Sequence, residues 1–187
     1  GSAYWTDGTR KRIITGSHDA HFISLDAETG KPDPEFGVNG RADVFSAPAP
    51  VLKVDELATI AREQFGVDGV VSPLDSERDQ NARIDARGQR FVLKVANVAE
   101  DPAALDLQIA VLHHLAGVAP ELDVPRIVTA VDGTPYATVR SAQGRHHVRL
   151  VTHLTGRPMA SVAPTAELER DLGRFIGSVS RGLQAFG

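Results

Sequence analysis

A proline-rich stretch, Ser46-Ala47-Pro48-Ala49-Pro50, divides the sequence into two parts whose patterns of apolar residues differ. Proline lacks a backbone N–H donor and pushes the preceding residue out of the helical region, so neither a helix nor a central strand continues through this stretch. We therefore expect a first segment with its linker at residues 1–47 and a separate domain at residues 48–187.

The first segment has the composition of short strands joined by turns. Residues 12–15 and 21–25 are β-prone runs bounded by Gly, Asp and Ser, which predicts two or three short strands in an appended β-hairpin. Such a hairpin is marginally stable alone and exposes unpaired edges. We expect it to pair with the sheet of the domain, to pack on another copy of the chain or to be exchanged between protomers, and we favour a homodimer.

The second part alternates between helical and strand periodicity. Helical patterns cover residues 55–65, which Gly66 follows, residues 102–116, which Asp101-Pro102 opens, and a long stretch after Thr165. Strand patterns occur at residues 70–74, 82–86, 90–96, 126–130, 136–140 and 147–154, with Arg87-Gly88 as a tight turn. This order predicts an α+β domain with a five-stranded antiparallel sheet and packed helices.

Charge and composition exclude several classes of protein. The formal charge of −4 comes from acidic and basic residues mixed along the chain, so we expect no nucleic-acid partner. No apolar run is long enough to span a membrane and no signal-peptide pattern is present, so we expect no membrane association. The absence of cysteine excludes a thiolate site and is compatible with the cytoplasm.

Four local sequences in the second part carry a family resemblance. They are Ser76-Glu77-Arg78-Asp79-Gln80-Asn81, Arg90-Phe91-Val92-Leu93-Lys94-Val95-Ala96-Asn97, Leu105-Asp106-Leu107-Gln108 and Val148-Arg149-Leu150-Val151-Thr152-His153-Leu154-Thr155-Gly156-Arg157-Pro158. Together with the order of elements, they resemble the N-terminal, ATP-binding lobe of hydroxylysine kinase-like proteins in the aminoglycoside phosphotransferase superfamily, which also occurs fused to class III aminotransferases. The resemblance implies a protein-kinase-like N-lobe that binds ATP with Mg²⁺.

The resemblance assigns roles to particular residues. Lys94 matches the strand lysine that holds the ATP phosphates, although a lone lysine in an apolar strand is more often an edge or snorkelling residue. The carboxylate that orients this lysine is replaced by Gln108, whose amide oxygen could accept a hydrogen bond from it. Asp106 lies two residues earlier and is the nearest carboxylate.

Two further elements of the site follow from the same resemblance. The loop that covers the phosphates corresponds to residues 76–81, so Ser76, Glu77, Arg78 and Asn81 are candidate binding residues. The hinge that contacts adenine through main-chain groups corresponds to Thr152, His153 and Leu154. A cluster of polar residues between strands is otherwise usually only a turn.

Phosphoryl transfer needs an aspartate near the substrate hydroxyl and ligands for Mg²⁺. In the superfamily these belong to a His-x-Asp loop and a later aspartate, and no His-x-Asp with a downstream Asn occurs in this sequence. We therefore expect residues 1–187 to bind ATP weakly and to have no kinase turnover. The alternative is a recombined or engineered, non-enzymatic chimera that folds and self-assembles.

The first segment resembles part of a different family. Ile23-Ser24-Leu25-Asp26-Ala27-Glu28-Thr29-Gly30-Lys31, followed by Phe36-Gly37 and Asn39-Gly40, is similar to a repeat of pyrroloquinoline-quinone-dependent dehydrogenase propellers. Quinone sites in that family draw residues from several blades, so we expect no quinone binding here. His18 and His21 could bind adventitious metal but are better interpreted as solvated turn residues.

Overall fold

The computed structural model describes residues 2–16, 21–43, 49–76 and 78–186. The chain divides into two compact units, Gly1–Pro48 and Ala49–Gly187.

The first unit is a four-stranded antiparallel sheet with the strand order β1-β2-β3-β4. Its strands are β1 (Ser2–Thr6), β2 (Lys11–Gly16), β3 (His21–Asp26) and β4 (Arg41–Asp43). The sequence predicted a hairpin with two or three strands, whereas the unit has four. The missed strand follows a tight turn in which Asn39 and Gly40 both have positive φ, and a Cβ on Gly40 would lie 2.9 Å from the Ser24 carbonyl oxygen. Three residues are too few for strand periodicity to reveal β4.

Among the described residues of this unit, the best-buried side chains are polar. Ser24 is fully buried and Asp33 is 7% exposed. The Oδ2 atom of Asp33 lies 2.5 Å from Nε of Arg12, and the Arg12 guanidinium also stacks 4.9 Å from the centre of the Trp5 ring. This ion pair fastens the connection between β3 and β4 to strand β2.

The second unit is an α+β domain, as the sequence predicted. Its helices are α1 (Val54–Phe65), α2 (Pro102–Val118) and α3 (Ala166–Gly182). Its strands are β5 (Val70–Leu74), β6 (Gln80–Ala86), β7 (Gln89–Val95), β8 (Ile127–Val128), β9 (Ala137–Ser141) and β10 (Gly144–Thr152). They form one antiparallel sheet in the order β5-β6-β7-β10-β8, and β9 also pairs with β10.

Some details of this sheet differ from the expectation. It has six strands instead of five, because β9 continues the β10 hairpin while the two-residue β8 pairs with the other end of the same strand. Strand β6 begins at Gln80, so Asn81 lies in a strand and not in the preceding loop. The turn at Arg87-Gly88 is confirmed, and both residues have positive φ.

Alternation along β7 and β10 separates the two faces of the sheet. One face packs against α1 and carries the main core, which includes Leu93 and Leu150 opposite Leu57 of the helix. The intervening residues of both strands, such as Val92 and Val151, lie on the other face. Helix α2 lies on this second side of the sheet, where its residue Ile109 is close to Val92 and Val151.

Helix α2 is fixed at its two ends by different contacts. Its N-cap, Asp101, accepts a hydrogen bond from the Ala103 amide, and proline occupies the first helical turn. Near its C-terminus, Leu115 and Ala119 pack with Val179 and Leu183 from the α3 region. No helix in the described residues is long and apolar enough to cross a membrane.

The ion pair in the first unit gives a test of how that unit is stabilised. Replacing Asp33 by alanine removes the closer carboxylate of the mostly buried Arg12 and leaves it only Glu35 at 3.8 Å, so we expect the unit to lose about 2 kcal/mol of stability. Fluorescence of Trp5, the only tryptophan, reports this unfolding during a urea titration. Glu28→Ala, which removes the exposed partner of Lys11, should leave the transition nearly unchanged. Coincident transitions for Asp33→Ala and the wild type would show that the pair does not hold the unit together.

Candidate functional site

A cavity of about 430 Å³ lies on the face of the second sheet opposite α1. It is lined by residues of β5, β7, β8, β10 and α2, together with the segments before β8 and after β10. The lining residues are Leu74, Val92, Lys94, Gln108, Ile109, Leu112, Pro125, Ile127, Arg149, Val151, Thr152, His153 and Leu154. Most of the walls are apolar, and the polar groups are few, which is the usual composition of a small-molecule site.

Lys94 reaches the cavity because of strand register. It pairs with Asn81 of β6 on one side and with Arg149 of β10 on the other. Directly opposed residues in a sheet share a face, so Asn81, Lys94 and Arg149 form a polar row across three strands. Lys94 and Arg149 line the cavity, whereas Asn81 does not.

Both cations of this row are partly desolvated. Burial lowers the pKa of Lys94, the positive charge of Arg149 lowers it further, and the carboxylate of Asp79 opposes the change. Burial also lowers the pKa of Arg149, again against the attraction of Asp79 and Glu100. Among the described residues, neither cation has a side-chain hydrogen bond or ion pair within the chain.

The nearby carboxylates are held by other groups. Oδ1 of Asp79 accepts a hydrogen bond from the main-chain N–H of Asn97 at 3.2 Å, and Glu100 lies 2.5 Å from the Arg78 guanidinium. These contacts fasten the β5–β6 loop to the segment that precedes α2. The positive charge of the cavity is therefore balanced at a distance and not by direct contact.

Gln108 lies at the rim of the cavity, on the same helix as Ile109. In the described part of the chain no hydrogen bond joins it to Lys94, so the proposed interaction between the two is not made in this structure. Asp106 is exposed and does not line the cavity, because two residues along a helix turn the side chain by about 200°.

The predicted phosphate-covering loop is only partly described. Glu77 lies outside the described residues, and Ser76, Arg78 and Asn81 do not line the cavity. The Asn81 amide nitrogen donates to Ser76 Oγ at 3.1 Å, while its buried Oδ1 has no hydrogen-bond partner among the described residues. The structure therefore places Asn81 in the polar row with Ser76 hydrogen-bonded to it, and it places none of the three described side chains in the cavity.

The three predicted hinge residues all line the cavity. The amide of Thr152 donates to the Arg126 carbonyl at 2.9 Å, and the amide of His153 donates to the Arg90 carbonyl at 3.0 Å. Within the described residues the Leu154 amide has no such partner, so it is the hinge donor left available to a ligand. Nδ1 of His153 is buried and also lacks a partner in the described part of the chain.

The remaining histidines of the second unit do not form a metal site. His146 is buried, with Nδ1 2.9 Å from the Ala96 carbonyl oxygen and Nε2 2.8 Å from Ser141 Oγ. Its role is to satisfy polar groups in the core. No cluster of three or more histidine or acidic side chains suitable for a metal occurs in the described ranges, and His18 lies outside them.

Sequence reasoning did not single out Arg149 or Asp79 as site residues. The signal for Arg149 was its position in β10, two residues before Val151, which puts both on one face. Its position opposite Lys94 follows only from the pairing of β7 with β10.

Comparison with known proteins gives two family matches. Residues 70–186 match the model of the phosphotransferase enzyme family. Residues 1–82 match the β-propeller domain of glucose, ethanol and alcohol dehydrogenases. Matches to two families of different function in one chain confirm the resemblances found in the sequence and support a chimeric origin.

The similar proteins are small-molecule kinases. Hydroxylysine kinase from Mus musculus is 29% identical over 152 residues, which cover 73% of this chain and 40% of that protein. Among solved structures, amicoumacin kinase in complex with AMP-PNP and Ca²⁺ has a TM-score of 0.63 at 14% identity, covering 73% of this chain and 41% of the other. A microcompartment-associated aminopropanol kinase has a TM-score of 0.55 at 20% identity, covering 72% and 42%. At these identities the structures show the fold alone, and this chain spans about two fifths of the length of its relatives.

The electrostatic coupling of the two cations can be measured without any ligand. Replacing Arg149 by glutamine removes a positive charge that lowers the pKa of Lys94, so we expect the pKa of Lys94 to rise toward its ordinary value. Titration of the lysine side-chain ¹³Cε resonance by NMR reports the change. Arg145→Gln removes the same charge from an exposed position of the same strand and should leave the pKa unchanged. Equal Lys94 titrations in wild type and Arg149→Gln would place the two cations too far apart to interact.

Proposed function

The chain belongs to the phosphotransferase enzyme family, and we propose that the cavity of its second unit is the ATP site of a small-molecule kinase lobe. The observation that carries the proposal is the convergence of Lys94, Gln108 and residues 152–154 on one cavity. These residues come from three separate elements of the chain, and each matches a position that the family resemblance associates with ATP.

The cavity has walls suited to the two chemically different ends of ATP. Val92, Ile127 and Val151 supply apolar surface against which a purine ring can pack. The Leu154 amide is available as a main-chain donor to the purine edge. Lys94 lies on the β7 wall, where fixed positive charge can replace water around the phosphates.

Mg²⁺ fits this site through the nucleotide. The lining contains cationic, amide, hydroxyl and imidazole side chains but no carboxylate, so the chain's own residues are suited to phosphate oxygens and not to the metal. Mg²⁺ characteristically keeps several waters and binds substrate phosphates. We therefore propose that Mg²⁺ enters with ATP and that residues 1–187 contribute no direct ligand.

We further propose that residues 1–187 by themselves bind ATP weakly and do not transfer its phosphate. A site that contacts the nucleotide from one side only leaves it partly in water, which makes binding less favourable. The substrates named for the similar kinases belong to those proteins, and we assign none of them here. A cytoplasmic location is compatible with a chain that contains no cysteine.

A titration of Mg-ATP followed by amide NMR tests the nucleotide site. We expect shifts at residues 152–154 and around Lys94 with a millimolar dissociation constant. Lys94→Ala should weaken binding about tenfold or more, because it removes a charged contact to phosphate. Arg145→Ala, on the neighbouring strand but outside the cavity, serves as the matched control. Shifts that persist unchanged in Lys94→Ala, or are missing in the wild type, would rule the site out.

The first unit favours a second, non-enzymatic property. Its described residues expose several large apolar side chains, among them Tyr4 at 62%, Phe22 at 45% and Val38 at 77%. Edge strand β1 pairs only with β2 within its sheet. We propose that this unit assembles two copies of the chain.

Mass in solution tests this assembly. We expect light scattering coupled to size-exclusion chromatography to give about twice the chain mass of 20.0 kDa at concentrations in the micromolar range. Phe22→Ser should shift the population toward the monomer, whereas Leu107→Ser, at an exposed position of α2, should not. A monomeric wild type throughout the accessible concentrations would contradict the proposal.

A further inference from the structure

We propose that Arg149 is a second phosphate-binding cation, which grips a nucleotide polyphosphate together with Lys94 from the neighbouring strand. The proposal rests on the nucleotide site described above and adds a residue and a charge requirement to it. A ligand with at least two adjacent anionic groups satisfies both cations.

The geometry follows from the register of β7 and β10. Lys94 and Arg149 are direct Cα partners in this antiparallel pair, and the Cβ atoms of such partners are about 5 Å apart. Both side chains line the same cavity. Adjacent phosphates of one polyphosphate chain can therefore contact the two cations at once.

The carboxylates near this pair do not neutralise it by contact. Like charges placed directly opposite each other destabilise a sheet. The carboxylates of Asp79 and Glu100 are already bound to the Asn97 amide and to Arg78. Within the described residues no carboxylate contacts Lys94 or Arg149, so an anion in the cavity would relieve both the repulsion and the desolvation of the two cations.

Other pairs of basic residues in the same sheet differ from Lys94 and Arg149 either in their location or in having a carboxylate partner. Arg140 and Arg145 are also direct partners, but both are exposed and lie outside the cavity. Arg83 and Arg90 share the carboxylate of Asp85. Among these pairs, only Lys94 and Arg149 both line one cavity and lack a direct counter-ion in the described residues.

The difference between the two side chains suits a polyphosphate. The planar guanidinium of arginine can donate two parallel hydrogen bonds to one phosphate, whereas the lysine ammonium acts as a compact charge. The pair therefore offers a bidentate contact and a point contact side by side.

The experiment compares ATP, adenosine and inorganic tripolyphosphate with the full chain and with Arg149→Gln, using amide NMR titrations. We expect Arg149→Gln to weaken ATP and tripolyphosphate binding at least about tenfold, the loss typical of a contact to a charged group. Adenosine binding should be unchanged. Arg145→Gln, which removes the same charge from the same strand, should bind all three compounds like the wild type.

The outcomes separate this proposal from the nucleotide site itself. If Lys94→Ala loses ATP affinity while Arg149→Gln retains it, the nucleotide site stands and the role of Arg149 is overturned. If tripolyphosphate binds with Arg149 dependence but ATP and adenosine produce no shifts at residues 152–154, the cation pair stands and the nucleotide site fails. If none of the three compounds binds the wild type, both are overturned. Equal losses for ATP and adenosine would indicate a structural role for Arg149 and would also overturn the proposal.

A second measurement requires no variant, in case Arg149→Gln does not fold. The Nε–H resonance of the Arg149 guanidinium in the wild-type chain should shift on addition of ATP or tripolyphosphate and should not respond to adenosine. A resonance unaffected by saturating ATP would overturn the contact.

Discussion

The pairing of β7 with β10 is the constraint on which the second unit depends. These antiparallel strands put Leu93 opposite Leu150 on the face that packs against α1, where both are fully buried. Because side chains alternate along a strand, the same pairing forces Lys94 and Arg149 together on the opposite face. A shift of one residue in this pairing would turn one strand over relative to the other and place either Lys94 or Arg149 in the apolar core. The hydrophobic burial that stabilises the sheet therefore also fixes the geometry of the cavity.

The repulsion between Lys94 and Arg149 destabilises this sheet, but hydrophobic burial elsewhere in the unit drives its folding. The core on the α1 side stabilises the sheet, so the sheet can tolerate a like-charge pair on its other face. The removal of water lowers the pKa of Lys94 and Arg149, but distant carboxylates favour their charged forms. A neutral ligand near these two groups would not compensate their positive charges, whereas a polyanion would. The apolar wall that continues toward residues 152–154 then favours a polyanion that also carries a flat apolar group.

The sequence was sufficient for features encoded by local patterns and by family resemblance. Helical periodicity located all three helices within a few residues, and the Arg87-Gly88 turn followed from the requirement for positive φ. The resemblance selected Lys94 and residues 152–154, which the fold then brought to one cavity. It could not supply Arg149, because the contact with Lys94 joins positions 55 residues apart and depends on strand register. Strand β4 was missed because three residues carry too little periodicity, and β8 lies within the predicted range 126–130 but has only two residues.

The first unit differs from the second in what its interior contains, and this bears on the origin of the chain. No large apolar side chain among its described residues is fully buried, and its most enclosed side chains are those of Ser24 and Asp33. A sheet that evolved to stand alone would bury apolar residues on at least one face. A sheet from a stack of similar sheets would instead leave apolar residues such as Phe22 and Val38 exposed once separated from its neighbours. The exposed apolar residues are consistent with the match of residues 1–82 to a propeller family. The second unit instead buries apolar residues in two clusters, one against α1 and one between α2 and the α3 region.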